Sequence, residues 1–242
     1  EQIERERREA SRRLDIQYQY IELYDRLYTT LRQQIRADRQ ATFVTIRALV
    51  ASPILRDPNF PASFQARSYF FLCSAYCHQL LGESDKAHQL FAANLAHWDA
   101  QPQWAKEEPF QFQRALSNYL ALCQLTNQIE LFPAILKRME KLLGQTTQEQ
   151  AEHFSNYHFY HFHYCMNSWD FEEAIQTAPT IQKGLMQYGD IIPDSRRMSF
   201  IYNLMVMFFF LGKPKEALTW LFKLLNIEKT EVRQDLQRAA RI

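Results

Sequence analysis

A chain of 242 residues that is 47% hydrophobic and 14% aromatic has the apolar mass for a large core, which excludes wholesale disorder. Its 28 basic and 27 acidic residues nearly cancel, so no bulk attraction to nucleic acid or to an anionic membrane is expected. Only 5 glycines occur, too few for a chain of tight hairpins or phosphate-cradling loops.

The N-terminal stretch reads as one long helix over 3–35. Leu14, Ile21, Tyr28 and Ile35 recur every seven residues, with Ala10, Gln17, Tyr24 and Leu31 offset by three. Tyr18, Tyr20, Leu23 and Leu27 widen that stripe, so the favoured reading is a helix packed on the rest of the chain rather than a coiled coil. The heptads leave a homodimer through this helix open. The charged run ERERREASRR at 4–13 reads as a solvated helical end.

Further helices are predicted near 38–51, 61–81, 84–99, 109–125, 129–143, 147–167, 171–188, 195–211, 214–227 and 230–241, with no strand signal. The breakers collect between them, at SPILRDPNFP (52–61), AQPQWAKEEP (100–109), LGQTTQE (143–149) and YGDIIPDS (188–195). Three stretches echo one another: LGESDKAHQLF at 81–91, SWDFEEAIQTA at 168–178 and LGKPKEALTWLF at 211–222. A weaker copy is TNQIELFPAILKRM at 126–139. Aligned on Ala87, Ala134, Ala174 and Ala217, the copies are spaced 47, 40 and 43 residues apart. Each has a turn, charged residues, a small Ala for close helix approach, and in the clearer copies an apolar residue four later on the same face. This is the elbow of a helical hairpin, repeated.

The repeats resemble the tetratricopeptide repeat. GKPKEALTWL at 212–221 matches its second half, with Ile201, Leu204 and Phe208 at first-helix core positions. WDFEEAI at 169–175 matches except that Trp169 stands where the family has glycine. GESDKAHQLF at 82–91 matches in its second helix. The period exceeds the roughly 34 residues of the standard repeat. The order of features, including ASPILRDPNF and EEPFQFQRALSNYLALC, is also similar to uncharacterised bacterial tetratricopeptide-like proteins, in which the array continues past the point where this chain stops.

The resemblance implies an all-α fold: a right-handed α-α superhelix, a solenoid of antiparallel helix pairs over 37–242, preceded by the helix over 1–36. It implies a non-catalytic scaffold that docks a peptide or protein on its concave face. The groove positions carried over are Leu72, Tyr76, Gln79, Tyr119 and Cys123, then Phe159, His163 and Met166, then Tyr202, Val206 and Phe209. Their aromatic character suits an apolar or helical peptide. Family members that grip acidic C-termini use Lys and Asn there, so a carboxylate clamp is not expected. Two readings of the groove stay open, a docking surface and one filled by the chain itself. A regulatory or sensor domain of a larger signalling or transcription protein is the alternative function.

Catalytic signatures are missing: no GxSxG, no phosphate loop, no distinguishable Cys–His pairing. Glu107–Glu108 and Glu172–Glu173 sit at helix starts or loops, where a dipole role suffices. His158, His161 and Cys165 share one helical face and have ligand chemistry, but a fourth group is missing from the pattern, so they are read as satisfied side chains with no metal and no cofactor. Cys73, Cys77, Cys123 and Cys165 lack disulfide spacing and read as buried thiols. With no signal peptide at residue 1, and FIYNLMVMFFFL at 200–211 too short to span a bilayer, a cytoplasmic protein is expected. The chain opens at Glu1 and ends at AARI inside helical patterns, which suggests part of a longer protein.

Overall fold

The computed structural model describes residues 2–33, 39–142, 144–227 and 236. Among these residues there are twelve α-helices and no strand. The chain divides into two compact units, Glu1–Thr126 and Asn127–Ile242.

The first unit contains α1 (Gln2–Gln33), α2 (Arg39–Ala51), α3 (Pro53–Arg56), α4 (Phe64–Leu80), α5 (Ser84–Asp99), α6 (Pro102–Glu107) and α7 (Pro109–Leu125). The short helices α3 and α6 fall in segments read as loops. Each begins on a proline, whose ring presets helical φ and whose missing N–H costs nothing in the first turn. α4 starts at Ser63, whose side chain accepts from the Ala66 N–H at 3.1 Å.

α1 packs on α4 within this unit. Its buried stripe is Ile16, Tyr20, Leu23, Tyr24 and Leu27. Two of the heptad positions, Leu14 and Tyr28, remain exposed. The stripe therefore follows the face that α4 occupies. Tyr24 lies in ring contact with Tyr69 and Tyr76, both at 5.5 Å between centroids. The Tyr20 hydroxyl donates to the Ile54 carbonyl at 2.6 Å, tying α1 to α3. Behind α4, Trp98 on α5 donates its indole N–H to Ser68 at 3.0 Å, and Ser68 donates to Asn94 at 2.9 Å.

The second unit contains a 3-10 turn (Ile129–Leu131), α8 (Phe132–Met139), α9 (Thr147–Asn167), α10 (Phe171–Tyr188), α11 (Asp194–Phe210) and α12 (Pro214–Leu225). α8 stops at Met139 rather than near 143. A capping box opens α9, in which the Thr146 side chain accepts from the Glu149 N–H and the Glu149 carboxylate accepts from the Thr146 N–H. α9 packs on α10 and touches α11, α10 touches α11, and α11 packs closely on α12. Gly184 permits the close approach of α9 and α10: a Cβ there would run into the Phe154 ring. The helix expected over 230–241 lies outside the described residues, apart from Leu236, which is helical and buried.

The elbows share one backbone device. Gly82, Trp169 and Gly212, each five residues before its repeat alanine, have φ of +77°, +62° and +65°. The next residue's N–H reaches back five positions in all three: Glu83 to the His78 carbonyl, Asp170 to Cys165 and Lys213 to Phe208, at 2.8, 2.9 and 2.9 Å. Such left-handed caps satisfy the last carbonyls of the first helix and reverse the chain. Ala87, Ala174 and Ala217 are buried in the resulting contacts. Ala134 is exposed, and Phe132 and Ile135 take the buried positions, so the fourth copy departs from the alignment.

Candidate functional site

In the first unit the inferred groove positions are largely core. Leu72 and Tyr76 on α4 and Cys123 on α7 are buried, and Tyr76 is enclosed by Tyr24, Tyr28 and Phe91. Here α1 covers the face on which a ligand was expected, which removes Leu72 and Tyr76 from any open surface. Gln79 is half-buried. Tyr119 is half-buried too, with its ring stacked on Phe91 at 6.1 Å.

The second unit differs. Phe159, His163 and Met166 follow one another at four- and three-residue steps on α9, and Tyr202, Val206 and Phe209 do so on the adjoining α11. Five of the six are half-buried and Phe209 is 70% exposed. The Arg196 guanidinium stands 3.9 Å from the Phe159 ring centroid, a cation–π contact that places a positive charge beside the stripe. His163 stacks obliquely near Phe132 at 6.0 Å, with the Asn167 amide nitrogen 3.1 Å from Nε2. Burial pulls the His163 imidazole below its usual range, favouring the neutral ring.

Next to Phe209 an aromatic cluster comes to the surface. Trp169 is 73% exposed and its ring meets Phe171 edge-on at 5.8 Å. Phe171 lies 6.4 Å from Phe210, and Phe210 lies 6.0 Å from Phe209. Phe210 is 60% exposed. Trp169 is thus held in the left-handed region, which a side chain with a Cβ resists, and yet its ring gains little burial there. The two equivalent elbows use glycine.

The opposite face of α9 carries the histidine and cysteine cluster. His161 Nε2 is 2.9 Å from the carboxylate of Glu173 in the first turn of α10. Cys165 lies one turn beyond His161 and is fully buried. Burial, followed by the charges of Glu173 and Asp170, pushes its thiol up to about 12, so it is protonated at neutral pH. His158 is pulled down to about 4, chiefly by burial and then by its neighbours His161 and His153. All four cysteines are buried free thiols.

Two participants escaped the sequence reading. Arg196 carried no signal beyond its charge. Glu173 was legible only as a helix-start acid; its approach to His161 depends on the elbow at Trp169 folding α10 back along α9. Among the described residues no helix is long and apolar enough to cross a membrane. No protein-family model matches the chain, and no curated protein matches it.

Proposed function

We propose that this chain is a tetratricopeptide-like scaffold, its helix pairs wound as a right-handed superhelix, that docks a protein or peptide without catalysing a reaction. The reading rests on one observation above the rest: an exposed aromatic surface, Trp169, Phe209 and Phe210, adjoining the α9 and α11 stripes, kept at a cost in backbone conformation. Contiguous exposed aromatics mark interaction surfaces, and Trp is prominent among residues that anchor them. The neighbour relations of α9, α10, α11 and α12 support the repeat reading, since α9 with α10 and α11 with α12 pack as pairs and both helices of the first pair meet α11.

The partner presents an apolar or helical segment, with acidic groups placed to meet Arg196. Capture from cell extract by the full chain, beside a Tyr202→Ala, Phe209→Ala double variant of unchanged helicity, tests this. A protein retained by the parent chain and lost from the variant supports the reading; retention by both contradicts the assignment of the surface.

A second reading, self-association through α1, is favoured by the exposure of Leu14 and Tyr18 one turn apart on its outer half. It is compatible with docking on the second unit.

A further inference from the structure

Three side chains of ligand type, from two helices, converge on the face of α9 opposite Phe159. One ligand atom each from His161, Cys165 and Glu173 lies within 4.8 Å of the others. His161 and Cys165 project from successive turns of α9, and Glu173 closes the group from α10. Cys165 is buried, the His161 side chain is 17% exposed, and the Glu173 carboxylate reaches solvent. A hydrogen bond between His161 and Glu173 accounts for only part of this arrangement. The His161 Nδ1 is also buried without a hydrogen-bond partner, whereas buried polar atoms are ordinarily paired. The Cys165 sulfur is also placed beside two groups with which it makes no hydrogen bond that would explain the cluster.

We propose that His161, Cys165 and Glu173 bind a divalent zinc-type cation that joins α9 to α10. Imidazole, thiolate and carboxylate together suit a borderline ion such as zinc or cobalt(II) and disfavour magnesium and calcium, which prefer oxygen shells. One thiolate and one carboxylate balance the charge of the ion. Bonds of about 2.0 to 2.3 Å put tetrahedral ligand atoms roughly 3.5 Å apart, so the group draws together by about 1 Å, chiefly through the exposed Glu173 side chain. The Cys165 proton leaves to solvent as the sulfur–metal bond forms, and water fills the fourth position on the open side. The site lies on the face of α9 opposite the Phe159 stripe, and its assignment does not rest on the docking reading.

The test uses the full chain, stripped of metal and titrated with cobalt(II). The expected result is saturation at one equivalent with a sulfur-to-cobalt charge-transfer band and tetrahedral visible bands, all removed by added zinc. Cys165→Ser abolishes the charge-transfer band, and Glu173→Gln, a change at an exposed position, weakens binding at least about tenfold. Absence of the band, its survival in Cys165→Ser, or unchanged affinity in Glu173→Gln overturns the proposal. Should Cys165→Ser fail to fold, the Glu173→Gln titration decides by itself.

Discussion

His158 illustrates how one side chain couples the α9–α10 layer to pH. Burial keeps its imidazole neutral down to about 4, against an ordinary value near 6.5. The unfolded chain therefore takes up a proton between those values that the folded chain refuses. Stability contributed by the neutral ring is full above about pH 6.5, falls as pH drops through the window, and levels off below about 4. From pH 7 to pH 5 the loss is about 2 kcal/mol. His153 and His163, both lowered by burial, act in the same direction. In chelator, chemical denaturation of the parent chain and of His158→Gln at the two pH values checks this. The variant is expected to lose distinctly less on acidification, and parallel losses contradict the account. From sequence, His158 could be placed on a face with His161 and Cys165, but burial could not. Periodicity orders residues around a helix and says little about how deeply a neighbouring helix covers them.

At the scale of elements, helix positions were nearly all legible, because strong turn signals separate long apolar-periodic stretches. The misses have local causes. α3 and α6 begin at prolines in segments whose other residues are breakers, and proline both breaks a helix and starts one. The role of α1 was legible as packing, and so was most of its buried stripe. Tyr20, Leu23, Tyr24 and Leu27 all stood in the apolar face read from the sequence. That reading missed only Ile16 and included Leu14, Tyr18 and Tyr28, which stay exposed. Gln2 through Asp15 are all exposed, so this part of α1 supports no core. Deleting residues 1–13 is expected to change unfolding free energy by no more than about 0.5 kcal/mol. Deleting residues 1–30 uncovers Tyr76, Tyr69 and Phe70 and is expected to cause aggregation. Thermal unfolding and light scattering check both, and an intact, monomeric 31–242 chain contradicts the packing role. Sedimentation of the parent chain and of a Leu14→Ser, Tyr18→Ser double variant also tests self-association through the exposed face of α1: concentration-dependent mass that vanishes in the variant supports it, and unchanged mass argues against it.

For the whole molecule, the sequence motif that marks the elbows also marks the place where one of them departs. Trp169 was visible as a residue standing where the related repeats have glycine. Its left-handed backbone, its exposure and its contact chain through Phe171 to Phe210 were not visible, because they require the ends of α9 and α11 to lie side by side. In the first unit the carried-over groove failed at Leu72 and Tyr76 for a similar reason, since no repeat pattern records that α1 lies over that face. What distinguishes the two units is thus how far equivalent positions are covered: Leu72 and Tyr76 are buried in one, whereas in the other the cover is partial and Phe209 is left exposed.

The most direct test of the docking account is the single substitution Trp169→Gly. Glycine relieves the left-handed conformation and, because the indole is mostly solvent-exposed, loses little packing. The variant is expected to be about 0.5 to 1 kcal/mol more stable than the parent chain. It is also expected to lose the partner captured by the intact surface, a gain in stability accompanied by a loss of function. A variant that is more stable and still captures the partner in full would contradict the claim that this strained tryptophan anchors a docking surface.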